Sequence, residues 1–209
     1  YFLGLDITPA DTSFKLKDGL LSLAYRTQAG AGKITLLPQI QVAIHPPVME
    51  IDGTSLILER VPLTQPMTDM LLAMANPLLR GCLAGEGGVS LEVSEMSVPL
   101  AAGMADQIEA TCRIKLHDAP FVMAGVLGEI LAISGVEAKE VRFRETEITA
   151  VCRDGKVTTS PFEVSINGHI VRFHGVVGFD HSVAYIVEVP LSRKLVGKRV
   201  WPYVEGIVL

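Results

Sequence analysis

Hydrophobic residues alternate with polar ones along most of this chain. Ile108, Ala110, Cys112, Ile114 and Leu116 interleave with Glu109, Thr111, Arg113 and Lys115. A period of two puts every second side chain on one face, so this segment reads as an antiparallel strand, apolar on one side and charged on the other. Ile34, Leu36, Ile40, Val42 and Ile44 keep one phase through Pro38. Val89, Leu91 and Val93 occupy odd positions, whereas Met96, Val98 and Leu100 occupy even ones. A phase change inside one strand predicts a bulge near Glu95. A second change separates Val141 and Phe143 from Ile148, Ala150 and Cys152. Asp18-Gly19, Asp52-Gly53, Asp154-Gly155 and Asn167-Gly168 each lie between apolar runs. Such dipeptides supply the positive φ of tight hairpin turns, so the pattern predicts a meander of roughly a dozen strands.

Two segments break the period. From Pro66 to Leu79, Met67, Met70, Leu71, Met74 and Leu78 fall at helical spacing. Thr64 or Gln65 is the expected entry, Gly81 the exit, and Pro77 should kink or end the last turn. From Pro120 to Ser134, Phe121, Met123, Val126, Leu127, Ile130 and Leu131 repeat the spacing. Asp118 is the expected N-cap and Gly135 the stop. Gly125 and Gly128 give this second helix a flat side for close packing on a sheet. Both helices are too short to span a bilayer, and each contains an acidic residue, Asp69 or Glu129. Met67, Met70, Met74 and Met123 read first as core, and second as an adaptable apolar surface. Pro66 and Pro120 lie 54 residues apart, as do Gly81 and Gly135. That spacing points to a duplicated unit, with repeats around 64–117 and 118–190.

Composition places this pattern in one large domain. The chain has 209 residues, 49% of them hydrophobic and 20% charged, with a mean hydropathy of +0.39. No low-complexity segment or linker divides it, so residues 1–209 read as a single β-rich domain. The apolar surplus calls for a thick core, an apolar groove or a partner surface. The net charge of −5 argues against a general nucleic-acid binder, since phosphate contact needs a basic face. Cys82, Cys112 and Cys152 are three in number and far apart, so they cannot form a fully paired framework. The chain opens at Tyr1 in a strand-like alternation and stops at Leu209 in another, which reads as a fragment of a longer chain.

Candidate chemistry changes this picture little. Ala29-Gly30-Ala31-Gly32-Lys33-Ile34 invites a phosphate-loop reading. The motif, however, needs Gly at Thr27 and Ser or Thr at Ile34, followed by a helix. A turn is the better reading. His169 and His174 lie five apart on one strand, hence on opposite faces, and no metal or cofactor is expected. Glu145 and Glu147 share a face beside Arg142 and Arg144, which reads as a mutually screened surface rather than an acid–base pair. No catalytic constellation is legible, so the chain is expected not to be an enzyme. An enzyme with a site assembled from distant residues is the third reading, and His117, His174 or Cys152 meeting carboxylates in a cleft would revive it. Arg193, Lys194, Lys198 and Arg199, followed by Trp201 and Tyr203, suit an anionic membrane surface.

The last forty residues carry a recognisable cadence. Gly175-Val-Val-Gly-Phe-Asp-His-Ser-Val-Ala-Tyr185-Ile-Val-Glu-Val-Pro190-Leu-Ser runs into Leu195-Val-Gly197 and then Gly206-Ile-Val-Leu209. It resembles the C-terminal region of AsmA-like proteins of the bacterial envelope. Those have a strand, a turn at an acidic residue, and a strand ending in a "vPls"-like phrase. Glu86-Gly-Gly-Val-Ser-Leu-Glu-Val after an apolar helix is similar to the same layout. The resemblance covers about a third of the chain. It implies a long, taco-shaped sheet with an apolar inner groove, in proteins tied to envelope assembly and glycerophospholipid movement. It also implies a periplasmic location, or an inner-membrane anchor facing the periplasm.

The expected architecture is therefore α+β: a mostly antiparallel, strongly bent sheet with two amphipathic helices packed on it. The expected groove residues are Ile108, Ile114, Leu116, Val171, Phe173, Val183 and Tyr185. The expected role is a non-enzymatic module of a larger envelope protein that handles lipid or serves membrane assembly. Its expected partners are lipid, a membrane surface or other domains of the same chain, with no nucleic acid and no cofactor. The alternative role is a structural module that uses its apolar surface for self-assembly or neighbouring domains.

Overall fold

A computed structural model describes residues 4–5, 7–83, 85–123, 125–134, 136 and 139–190. Among the described residues, 59% are strand and 14% helix, so the antiparallel sheet dominates. Strands β1 (Asp11–Lys17), β2 (Leu20–Ala29), β3 (Gly32–Leu36) and β4 (Gln39–Gln41) form the N-terminal meander. β5 (Val48–Pro62) and β6 (Gly88–Pro99) form a long hairpin. β7 (Glu109–His117), β8 (Ala119–Val122), β9 (Glu140–Phe143) and β10 (Thr146–Arg153) form a second. β11 (Lys156–Ile166), β12 (His169–Gly178) and β13 (Val183–Glu188) close the described chain. The main sheet runs β1-β2-β3-β5-β6-β7-β10-β11-β12-β13, with β4 pairing β2 and β5; β8 and β9 form a small separate sheet.

The turn chemistry explains much of this order. Asp18-Gly19, Asp154-Gly155 and Asn167-Gly168 take positive φ at both residues and close the β1–β2, β10–β11 and β11–β12 hairpins. That is the backbone of a two-residue turn whose twist matches the strands. Asp52-Gly53 does not close a hairpin. It sits inside β5, where the register slips between Ile51 and Thr54 opposite Glu95, whose own φ is +53°. The expected bulge near Glu95 is thus present, and the Asp-Gly pair belongs to it. The bulge absorbs one residue, so Val93 and Met96 both face the core side. Gly30 and Ala31 form the β2–β3 turn, in place of any phosphate loop.

Both hairpins are tipped by helices. Between β5 and β6, α1 (Gln65–Met67), a π-helical turn (Thr68–Leu72) and α2 (Ala73–Ala75) run on, and Pro77–Leu79 forms a 3₁₀ turn. Thr64 caps the start by accepting from the Met67 N–H at 3.3 Å. Asn76 leaves the helix at extended φ/ψ and caps the 3₁₀ turn by accepting from the Leu78 N–H at 3.1 Å. Pro77 therefore ends the helix as its missing N–H requires.

The second helix differs from the sequence expectation. α3 (Gly125–Ile133) begins five residues after Pro120, because Ala119–Val122 is strand β8. Phe121 packs on Phe143 of β9 with ring centroids 4.7 Å apart, and both are fully buried. Four residues of apolar run fit a buried strand as well as a helix, and cross-strand pairing decided between them. Asp118 is accordingly not an N-cap. It sits at φ +49° between β7 and β8, and Glu145 at φ +47° lies between β9 and β10. Leu116 pairs Thr146, and Ala119 pairs Phe143, so the register runs unbroken through this joint. The small sheet is the kinked continuation of the second hairpin.

The core lies on one face of the main sheet. Ile34, Leu58, Leu91, Ile114 and Ile148 form a row across five strands by direct cross-strand pairing. Met67, Leu72, Ala75 and Leu79 from the first tip, and Leu127 and Leu131 from α3, pack into the same cluster. The tips also join through the backbone, with Val122 N–H donating to Cys82 O at 2.7 Å. Phe162 and Phe173 stack at 5.3 Å on the β11–β12 arm.

Candidate functional site

The apolar face extends beyond the part that the helices cover. Leu16, Leu21, Ile40, Met49 and Val98 stand directly opposite one another across β1, β2, β4, β5 and β6. Phe14 faces Leu23, and Tyr25 faces Leu36, on the same side. Alternation forces this, since residues paired across antiparallel strands share a face. Phe14 is 76% exposed and Leu16 64%, while Leu21, Leu23, Ile40 and Met49 are half-buried. The row continues into Ile51 and Met96, which belong to or pack on the core. The opposite face carries Ser13, Lys15, Lys17, Ser22, Arg26, Gln39, Gln41 and Glu50. One amphipathic sheet is thus sealed by helices at one end and open at the other.

The expected groove residues fall mostly at the sealed end. Ile114 is 2% exposed, and Leu116, Val171 and Phe173 are fully buried, so no groove opens at them. The two helical tips cover them, a consequence of tertiary packing that periodicity cannot register. Ile108 is half-buried just ahead of β7 and accepts from the Cys152 thiol. Tyr185 is half-buried, and its hydroxyl donates to Ala75 O at 3.0 Å. Burial holds its phenol above the usual tyrosine range. Val183 pairs with the buried Val177 and so lies on the core side, but it is 55% exposed because no helix among the described residues covers it. With Ala73, Met74, Pro77, Val177 and Phe179 it lines an open depression of about 380 Å³ with Arg80 and His181 at its border. The expected membrane-facing residues Arg193, Lys194, Lys198, Arg199 and Trp201 lie outside the described residues.

The polar face of the sheet carries a second constellation that local spacing could not show. Ser90 Oγ lies 2.9 Å from His117 Nε2, and His117 Nδ1 lies 3.0 Å from Glu145 Oε1. Lys115 Nζ holds the other Glu145 oxygen at 2.8 Å. Ser90 Oγ also accepts the Arg60 N–H at 3.0 Å, where Arg60 bulges out of β5 at φ +47°. One consistent proton assignment runs Ser90 O–H to Nε2 and Nδ1–H to Glu145. The Lys115 and His117 hydrogen bonds hold the Glu145 carboxyl at about 2, far below its ordinary range. Glu145 and Glu147 therefore pair with Lys115 and Arg113 of the neighbouring strand, not with the adjacent arginines; Arg142 and Arg144 go to Asp118. His117 borders an open depression of about 430 Å³ with Arg60, Pro62, Gly87 and Gly88. The signal was 27 residues of separation between Ser90 and His117, and only the β6–β7 register closes it.

Cys112 and Cys152 are unpaired thiols on β7 and β10, and burial raises both. His174 Nδ1 lies 3.8 Å from Glu188 Oε1, beside the Arg172 pairs to Glu163 and Glu188. Among the described residues, no group of three or more His, Cys, Asp or Glu could hold a metal. No helix among them is long and apolar enough to cross a membrane.

Fold and site together define a class: a sheet-dominated antiparallel domain whose helix-tipped hairpins seal one end of an amphipathic surface. Comparisons with protein-family models, with curated proteins and with solved structures find no match.

Proposed function

We propose that this domain is a non-enzymatic module of a larger bacterial envelope protein, exposed to the periplasm, that shelters lipid acyl chains. The observation that carries the reading is the open apolar strip from Phe14 to Val98. Exposed contiguous apolar surface on a sheet with a polar reverse face favours a partner that is itself apolar. The depression beside Met74 and Val183, with Arg80 at its border, offers the same chemistry with a cationic edge. The finer architecture proposed is a strongly bent sheet built from two related units, around 64–117 and 118–190. Its support is that each long hairpin is tipped by a helix. Against a strict copy, Pro66 lies in a helix and Pro120 in a strand. Native mass spectrometry of the purified protein tests the function. Co-purified glycerophospholipid, lost in Leu21→Asp and Met49→Asp variants that stay folded, is the expected result. A lipid-free protein that also takes up no lipid from mixed vesicles overturns it.

A second reading rests on Ser90, His117 and Glu145. The nitrogen assignment and distances match a base-assisted serine nucleophile, whose acid partner orients the imidazole. The step would be attack of Ser90 Oγ on an acyl carbon, its proton passing to His117 Nε2 and then to the leaving group. Labelling of Ser90 by a fluorophosphonate, abolished in His117→Ala, would favour this reading over the first. Absence of labelling removes it.

A further inference from the structure

We propose that two copies of this chain join edge to edge through β1, antiparallel, about a twofold axis passing at Phe14. β1 pairs β2 along one side, no strand among the described residues pairs the other, and all seven of its residues are exposed. An unpaired strand edge presents a row of free N–H and C=O groups, and proteins usually guard it with charge. Here Lys15 and Lys17 would be that guard, but the segment Asp11-Thr-Ser-Phe-Lys-Leu-Lys17 is self-complementary when reversed. About Phe14, Asp11 faces Lys17 of the second copy, Ser13 faces Lys15, Thr12 faces Leu16, and Phe14 faces itself. Two ion pairs form at the ends, an aromatic pair forms at the centre, and no lysine faces a lysine. Opposite charges and aromatics directly across a ladder are the favourable cross-strand pairs.

The alternatives within the same edge are poorer. A shift of two residues one way sets Lys15 against Lys15; the other way keeps two ion pairs, Asp11 against Lys15, but sets Phe14 against Thr12, loses the aromatic pair and leaves Lys17 beyond the ladder. A slip of one residue turns the second sheet over and places its apolar strip beside the polar face. The proposed register keeps the strips on one side. Phe14 already continues the row through Leu23, so pairing it with its symmetry mate joins the two apolar surfaces into one. Lys17 has a competing neighbour in Asp18 at 3.8 Å, but both side chains are largely exposed and the pair is readily exchanged. Isologous pairing of one edge closes the assembly at two copies.

The test is the mass of the delipidated full chain in solution, by light scattering and sedimentation from low to high micromolar concentration. A dimer is expected. Asp11→Lys alone and Lys17→Asp alone should each weaken it by about tenfold or more. The double variant Asp11→Lys with Lys17→Asp should restore it, because the swapped charges still face each other across the axis. Phe14→Lys should abolish it. Circular dichroism should show that each variant keeps its fold, as an exposed edge strand allows. A monomer at every concentration overturns the proposal. So does a dimer indifferent to both single reversals, or a double variant that stays as weak as the singles. A delipidated dimer that takes up no lipid from mixed vesicles removes the lipid reading and leaves this one standing; a delipidated monomer that does take up lipid does the reverse.

Discussion

The hydroxyl of Tyr185 donates to the carbonyl oxygen of Ala75 at 3.0 Å, tying β13 to α2 across 110 residues of chain. Thr159 Oγ1 donates to the same oxygen at 2.6 Å. A buried helix-end carbonyl, which has no partner within its helix, is thereby satisfied twice. The polar contact fixes where the first tip sits on the β11–β12–β13 end of the sheet.

Removing one of the two donors should cost little, and removing both should cost more than the sum. Tyr185→Phe is expected to lose about 1 kcal/mol and Thr159→Val about 1–3 kcal/mol. The double variant leaves a buried carbonyl without a donor, and a coupling of at least ~0.5 kcal/mol should appear in a double-mutant cycle by urea denaturation. Strict additivity would show that the shared acceptor is not a shared site.

Glu145 titrates at about 2 in the folded protein, against an ordinary 4.5. A depressed carboxyl adds stability above the unfolded value, and that contribution disappears as pH falls from about 4.5 through about 2. Carboxyl carbon NMR should show Glu145 titrating at the low value. Lys115→Met should bring it upward, since the Lys115 hydrogen bond is the leading cause. An ordinary titration in the unaltered protein would dispose of the relay.

Gly32 has no room for a side chain. A Cβ there would lie 2.5 Å from the Arg60 carbonyl oxygen and from the Val61 backbone, neither of which can swing away. Gly32→Ala should therefore destabilise by about 3 kcal/mol, at the upper end of overpacking costs, read from the shift in denaturation midpoint. Gly53 faces open space at φ +66°, so Gly53→Ala should cost only the strain of a left-handed alanine, about 1–2 kcal/mol.

Ile114 and Phe14 lie on the same face and should behave oppositely. Ile114→Ala empties a buried place within a five-strand row and should cost about 2–5 kcal/mol. Phe14→Ser removes an exposed ring and should change stability by about 0.5 kcal/mol or less. A large loss at Phe14 in dilute, lipid-free monomer would place it in a core rather than on a free surface.

Strand periodicity, the three Asp-Gly or Asn-Gly hairpin turns, the Glu95 bulge and the cap at Thr64 could be read from the chain because each is decided within a few residues. The misread positions were those where a local signal has two meanings. Asp52-Gly53 serves a hairpin or a bulge equally, and the choice depends on whether the strand is paired beyond it. Pro120 to Met123 fits a helix start or a buried strand, and the partner strand lies some 20 residues downstream at Val141 and Phe143.

The sequence by itself determined that this is an antiparallel, amphipathic, sheet-dominated chain, because alternation and turn residues act at short range. Only the tertiary structure decided which part of the apolar face is sealed and which is open. That depends on where two helical tips land, and their docking is set by contacts such as Tyr185 to Ala75. It also decided that Ser90, His117 and Glu145 meet, since register between strands, not spacing along them, brings those side chains within 3.0 Å of one another in turn.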